Sequence, residues 1–133
     1  MNLDTGKRET LTKLIKFGMV GAAGVLVNNL ALYLLYDLAQ IPLLLASSLA
    51  VEVSIVHNFV VNNQWTFRQD RLTLEKFVKF NSVSLVGMLI TVGVMFGLVT
   101  IVGLHYLVAN LVGIALATLA NFSLNLLWTW GVE

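Results

Sequence analysis

Long apolar stretches alternate with short polar ones along this chain. Residues 1–12 (MNLDTGKRETLT) are polar, and Lys13 and Lys16 lead into an apolar run at Phe17–Tyr36. Residues 37–42 (DLAQIP) read as a short turn, and Leu43 to about Trp65 is a second run. Residues 66–79 (TFRQDRLTLEKFVK) form the internal polar segment. A third run covers about Ser82–Val102, residues 103–105 are a second tight turn, and Leu107 to about Trp130 is the fourth run. About 20 apolar residues cross a hydrocarbon core as a helix, so each run predicts a transmembrane helix. The first run follows basic residues, as a signal peptide would, but it is too long for such a segment and no small-x-small site follows it. Residues 1–12 are expected to be frayed.

The pattern is also doubled. Asn58–Phe67 (NFVVNNQWTF) returns at Asn121–Trp130 (NFSLNLLWTW), with an offset of 121 − 58 = 63. The same offset pairs Lys16 and Phe17 with Lys79 and Phe80, Val20 with Val83, Gly24 with Gly87, and Ala46 with Ala109. Chance matches apolar letters easily, but not Asn, Asn, Trp and Thr in one spacing. An internal duplication has to be settled before any fold is assigned. The expectation is an all-α membrane protein whose four transmembrane helices make two tandem hairpins. Repeat one covers about 14–67 and repeat two about 77–130, within a single membrane domain over 1–133.

Composition agrees and charge adds direction. The chain is 58% hydrophobic and 11% charged, against roughly 25% charged in a soluble domain, which excludes that class. It has no cysteine, so disulfide and thiol chemistry drop out. All eight Lys and Arg residues stand at 7, 8, 13, 16, 68, 71, 76 and 79. They precede the first span or lie between the second and third, and the hairpin tips carry none. The positive-inside rule then places both termini and the middle loop in the cytosol. Two spans per repeat give both copies one orientation, a parallel repeat rather than the inverted repeat of many transporters.

Spans two and four carry a ridge at i, i+4 spacing. It runs Ala46, Ala50, Ser54, Asn58, Asn62 in one and Ala109, Gly113, Ala117, Asn121, Asn125 in the other. Packing alone explains the small half, because small residues let helices approach. Two amides per helix exceed what packing needs. They suggest a polar pocket opening to the cytosol that donates N–H to phosphate or sugar oxygens. Glu52 sits near the middle of span two, where a carboxylate costs about 2.5–3.5 kcal/mol on insertion scales. It must shed its charge, face water or find a partner such as Asn28, Asn29 or His57. It bonds within the bundle, or it has a proton-coupling or substrate-contact role. Trp65, Trp128 and Trp130 fall where interfacial anchors belong. Lys16 and Lys79 serve as topology anchors or contact a lipid phosphate at the cytosolic face. His57 reads as a packing residue and His105 as a solvated tip residue. No metal-ligand spacing and no nucleophile–base pair is visible.

Lys-Phe-x-x-Val-Gly early in span one, then Asn-Phe-x-x-Asn-x-x-Trp-Thr-Phe at the end of span two, resembles the GtrA-like membrane proteins over nearly the whole chain. The second copy departs at two places, with Trp130 for the final Phe and Ser84 for the glycine matching Gly21. The resemblance implies cell-surface polysaccharide synthesis or O-antigen glycosylation in a bacterial cytoplasmic (inner) membrane. It implies flipping of a polyprenyl-phosphate-linked sugar, such as an undecaprenyl-phosphate sugar, or assistance to the glycosyltransferase that makes it. The expected headgroup contacts are Asn28, Asn58, Asn62, Trp65, Asn121, Asn125, Trp128, Lys16, Lys79 and Glu52, with membrane lipid at the flanks.

One copy buries little polar path, so a homo-oligomer, most simply a dimer, is expected. A glycosyltransferase partner is possible in this reading; no cofactor, metal or nucleic acid is expected, and the chain does not read as an enzyme. The rivals are a non-transporting subunit that anchors a transferase and a proton-coupled exporter of the small multidrug-resistance type. The latter also has four spans and one membrane Glu, but its Glu lies in span one and it lacks the Asn-Phe…Trp-Thr-Phe repeats.

Overall fold

The computed structural model describes residues 3–131, and within them every regular element is a helix. The helices are α1 (Leu3–Leu32), α2 (Leu43–Val61), α3 (Leu74–Gly97) and α4 (Tyr106–Leu124). Each runs on into a π-helical turn, at Tyr33–Leu38, Asn62–Thr66, Leu98–Val102 and Asn125–Thr129. With those turns the helical stretches are 36, 24, 29 and 24 residues long, and all four are apolar enough to cross a membrane. At about 1.5 Å per residue even the shortest exceeds a hydrocarbon core about 30 Å thick.

The chain forms two compact units, Met1–Leu72 and Thr73–Glu133. In each, the second helix folds back on the first along a buried seam. In the first unit the seam is Phe17, Val20 and Gly24 of α1 against Ala46, Ala50 and Phe59 of α2. In the second it is Phe80, Val83 and Gly87 of α3 against Ala109, Gly113, Ala117 and Phe122 of α4. Large apolar side chains such as Leu26, Leu44, Leu89 and Leu111 are exposed on the outer faces. In water such continuous apolar surface would force association; toward acyl chains it costs nothing.

The two units share their construction. The bounds of α4 are those of α2 displaced by 63 (106 − 43 = 124 − 61 = 63). The tips close alike, the Ile41 N–H donating to the Leu35 carbonyl at 2.9 Å and the Leu104 N–H to the Leu98 carbonyl at 3.1 Å. Each tip has one left-handed residue at the same register, Gln40 (φ 57°) and Gly103 (φ 79°).

Three local expectations are corrected. Residues 3–12 are helical, not frayed. Asp4 sits in the first turn, where a carboxylate complements the helix dipole. The Thr10 and Thr12 hydroxyls donate back to the Gly6 and Arg8 carbonyls at 3.0 and 2.8 Å, so their polarity does not oppose the helix. The polar middle segment is also shorter than expected. Thr73 caps α3, accepting the Lys76 N–H at 3.2 Å, so residues 74–79 are already helix. At the second tip His105 is not merely solvated: it caps α4, its Nδ1 accepting the Leu107 N–H at 3.2 Å.

Candidate functional site

The amide ridge divides by depth. Asn58 lies against Gly24, and a Cβ built on that glycine would meet the Asn58 amide, 2.8 Å from Nδ2. Gly87 and Asn121 repeat the contact in the second unit. A glycine on one helix thus makes room for an asparagine on the other, which explains why both residues recur at one offset. The partners differ. The His57 ring pairs its Nδ1 with Asn58 Oδ1 at 3.1 Å. The equivalent of His57 is Ala120 (120 − 57 = 63), and Asn121 Oδ1 is buried with no hydrogen-bond partner among the described residues. Ser54 adds an interhelical bond in the first unit, its hydroxyl donating to the Gly24 carbonyl at 2.8 Å, where the second unit has Ala117.

Asn62 and Asn125 are buried. Each is 1% exposed. Their Oδ1 atoms accept the hydroxyls of Thr66 and Thr129 at 2.7 and 2.6 Å, tying the π turn at the helix end. Asn63, not among the expected contacts, is fully buried, and its amide donates to the Arg71 carbonyl at 3.3 Å, holding the segment after α2. Its counterpart is Leu126.

The lysines and tryptophans form matched pairs. Lys16 Nζ lies 5.2 Å from the Trp65 ring centroid, and Lys79 Nζ lies 5.5 Å from that of Trp128. Both indoles are half exposed. Such a pair is worth about 0.5–1 kcal/mol at an exposed site. The sequence signal was there: all four residues recur at the repeat offset. What reasoning along one helix missed is that the pair bridges the two helices of a hairpin. Lys79 has a second partner, Glu75 Oε1 at 3.3 Å. The position matching Glu75 in the first unit is Thr12 (75 − 63 = 12).

Two concavities lie in the first unit. One, of about 390 Å³, is walled on α1 by Thr5, Arg8, Glu9, Thr12, Lys13 and Lys16, and closed by Thr66, Phe67 and Arg68 from the turn after α2. The other is a shallow groove of about 220 Å³ higher on the hairpin, where Asn28, Ser54 and Asn58 stand among Gly21, Val25, Val51 and Ile55. The structure therefore brings Asn28 and Asn58 together, and Lys16 with Trp65. Glu52 lines neither concavity and is exposed on the outer face of α2. Among the described residues no group of three His, Asp or Glu could hold a metal ion. The arrangement offers N–H donors, hydroxyls and cations on an otherwise apolar hairpin.

The model of a family described as the GtrA/DPMS transmembrane domain matches residues 16–130. A dolichol-phosphate mannosyltransferase of Pyrococcus furiosus is 36% identical over 122 residues. That match takes in 90% of this chain but only 34% of the relative, so the chain spans about a third of that protein's length.

Proposed function

The chain belongs to the GtrA/DPMS transmembrane-domain family, and from that premise we propose that it moves a polyprenyl-phosphate-linked sugar between leaflets of a membrane. The observation that carries this reading is the groove holding Asn28, Ser54 and Asn58. Polar groups at membrane depth are expensive unless they bond to something. Amide N–H groups and a hydroxyl on an otherwise apolar face suit the hydroxyls of a sugar. The Lys16–Trp65 and Lys79–Trp128 pairs supply cations and aromatic surface at the basic end, which we take to be cytosolic, as the positive-inside rule suggests. Asn62 and Asn125 then hold the turns that present Trp65 and Trp128. Glu52, on the outer face, remains a candidate for proton coupling or for contact with a second copy.

The test is transbilayer movement of a labelled polyprenyl-phosphate sugar in proteoliposomes. The expected result is movement above empty vesicles, slowed about tenfold by Asn58→Leu, which removes a hydrogen bond of order 1.4 kcal/mol. Movement no faster than in empty vesicles, with a partner transferase also reconstituted, removes the reading.

A second reading is favoured by one specific finding, that the relative sharing this region is a mannosyltransferase. In it the chain is a non-transporting membrane subunit for a glycosyltransferase. It expects a transferase that co-purifies with the chain through residues 67–73 and loses activity without it, while Asn58→Leu is silent.

A further inference from the structure

We infer that the basic cavity of the first hairpin is a binding site for a phosphate monoester or diphosphate, and that the second hairpin does not duplicate it. The inference rests on the lipid-phosphate reading above and names the site for the charged part of that ligand.

Topology requires cations at one end of the spans but not that they converge. Here Arg8, Lys13, Lys16 and Arg68 line one cavity with Glu9 as the sole acid among its lining residues. Among the described residues none of the four cations is ion-paired with a carboxylate. Its volume of about 390 Å³ falls within the range of ligand sites, roughly 300–1,000 Å³. Four cations gathered with one carboxylate leave a net positive charge that repels itself, and a phosphate reverses the sign of that energy through charge-assisted hydrogen bonds.

Two further features shape the cavity. Arg68 has φ 49°, a left-handed conformation that costs a non-glycine residue about 1–2 kcal/mol. It turns the chain so that the residue after Phe67 returns to the cavity wall. The position matching Arg68 in the second hairpin is Gly131 (131 − 68 = 63), which has no cation to offer. Lys16 also joins the cavity to the half-exposed Trp65 ring, so an acyl or prenyl chain can leave along the outer face while its phosphate stays inside. In the second hairpin the matching lysine is held by Glu75.

The experiment is native mass spectrometry of the full chain in detergent, titrated with a polyprenyl phosphate and, separately, with the uncharged polyprenol. Arg68→Gly suits the backbone conformation at that position, and thermal melting checks that it and Lys13→Gln fold. The expected result is retention of the phosphate but not the alcohol, weakened about tenfold in each variant. Lys7→Gln, on the same helix but outside the cavity, should leave binding unchanged. Displacement by millimolar inorganic phosphate makes a free phosphate the ligand; resistance to it makes the lipid headgroup the ligand. Equal retention of the alcohol, or an equal loss in Lys7→Gln, overturns the site. If the site fails while proteoliposome movement persists, transport survives without it. If binding behaves as expected and nothing moves, the cavity stands and transport falls.

Discussion

The two hairpins are one design carried out with different side chains, and the difference separates architecture from chemistry. What repeats is structural: the Gly–Asn contacts, the Asn–Thr ties, the Lys–Trp pairs and the left-handed tip residue. What does not repeat is polar. The first hairpin alone has Asn28, Ser54, His57 and Asn63, where the second has Thr91, Ala117, Ala120 and Leu126. Its α1 also starts earlier. α3 begins at Leu74, which corresponds to residue 11 (74 − 63), whereas α1 begins at Leu3. Those eight extra residues (11 − 3) carry Thr5, Arg8 and Glu9 to the cavity wall. A duplicated scaffold whose copies have diverged in their polar side chains is the simplest account of this asymmetry.

The largest stability effect is expected where the seams differ most in closeness. At Gly113 an added Cβ would lie 2.7 Å from the Thr91 carbonyl oxygen, a backbone atom that cannot step aside. The matching residue in the first hairpin is already alanine, Ala50, fully buried. Gly113→Ala should therefore destabilise by about 3 kcal/mol, and Ala50→Gly by only about 1 kcal/mol through backbone entropy. Unfolding in mixed detergent micelles measures both. A smaller loss for Gly113→Ala than for Ala50→Gly would mean that the two seams are not spaced as described. Gly24→Ala and Gly87→Ala come next, at about 2 kcal/mol each, because the obstacle is a side-chain amide that can swing. These two should match, since the contact is the same in both units.

A smaller effect separates the two amides themselves. Asn58→Ala removes an atom paired with His57, whereas Asn121→Ala removes a buried carbonyl oxygen without a donor. An unsatisfied buried acceptor costs about 1–3 kcal/mol, so Asn121→Ala should be the milder by about 1 kcal/mol. Equal losses would show that Asn121 has a partner in the membrane. Gln40→Gly should stabilise the first tip by about 1 kcal/mol, because glycine takes the left-handed conformation freely. Gly103→Gln should reverse that at the second.

Four helices, their order and the repeat were legible because apolar run length and a fixed offset are one-dimensional signals. Element starts were read less well. Thr73 followed by Leu74 and Glu75 is a capping pattern that announces α3, yet the surrounding charge made the whole of 66–79 look like loop. Lys16 and Lys79 were singled out, and Trp65 and Trp128, but not as pairs, because their contact crosses between helices. The bonds from Asn62 and Asn125 to Thr66 and Thr129 were not legible either. Whether an amide faces a cavity or a threonine one turn on depends on rotamers that spacing does not encode. Arg8, Lys13 and Arg68 counted only toward orientation, since nothing in a linear reading shows that α1 continues to Leu3 and brings them beside the turn after α2.

The smallest effect on stability is expected from converting one hairpin into the other at the lysine. Glu75→Gln breaks the ion pair on Lys79, whose carboxylate side is largely exposed, and an exposed i, i+4 pair is worth about 0.3–0.5 kcal/mol. Its mirror, Thr12→Glu, should give a similarly small stability change by placing a carboxylate one turn before Lys16. The two substitutions diverge in binding. Thr12 lines the basic cavity, so a carboxylate there competes with a phosphate for the same cations and should weaken polyprenyl phosphate retention about tenfold. Glu75→Gln should leave that retention as it was. A Thr12→Glu protein that folds and binds like the wild type would show that the charge around Lys16 does not select the ligand, and that the hairpins differ in shape but not in chemistry.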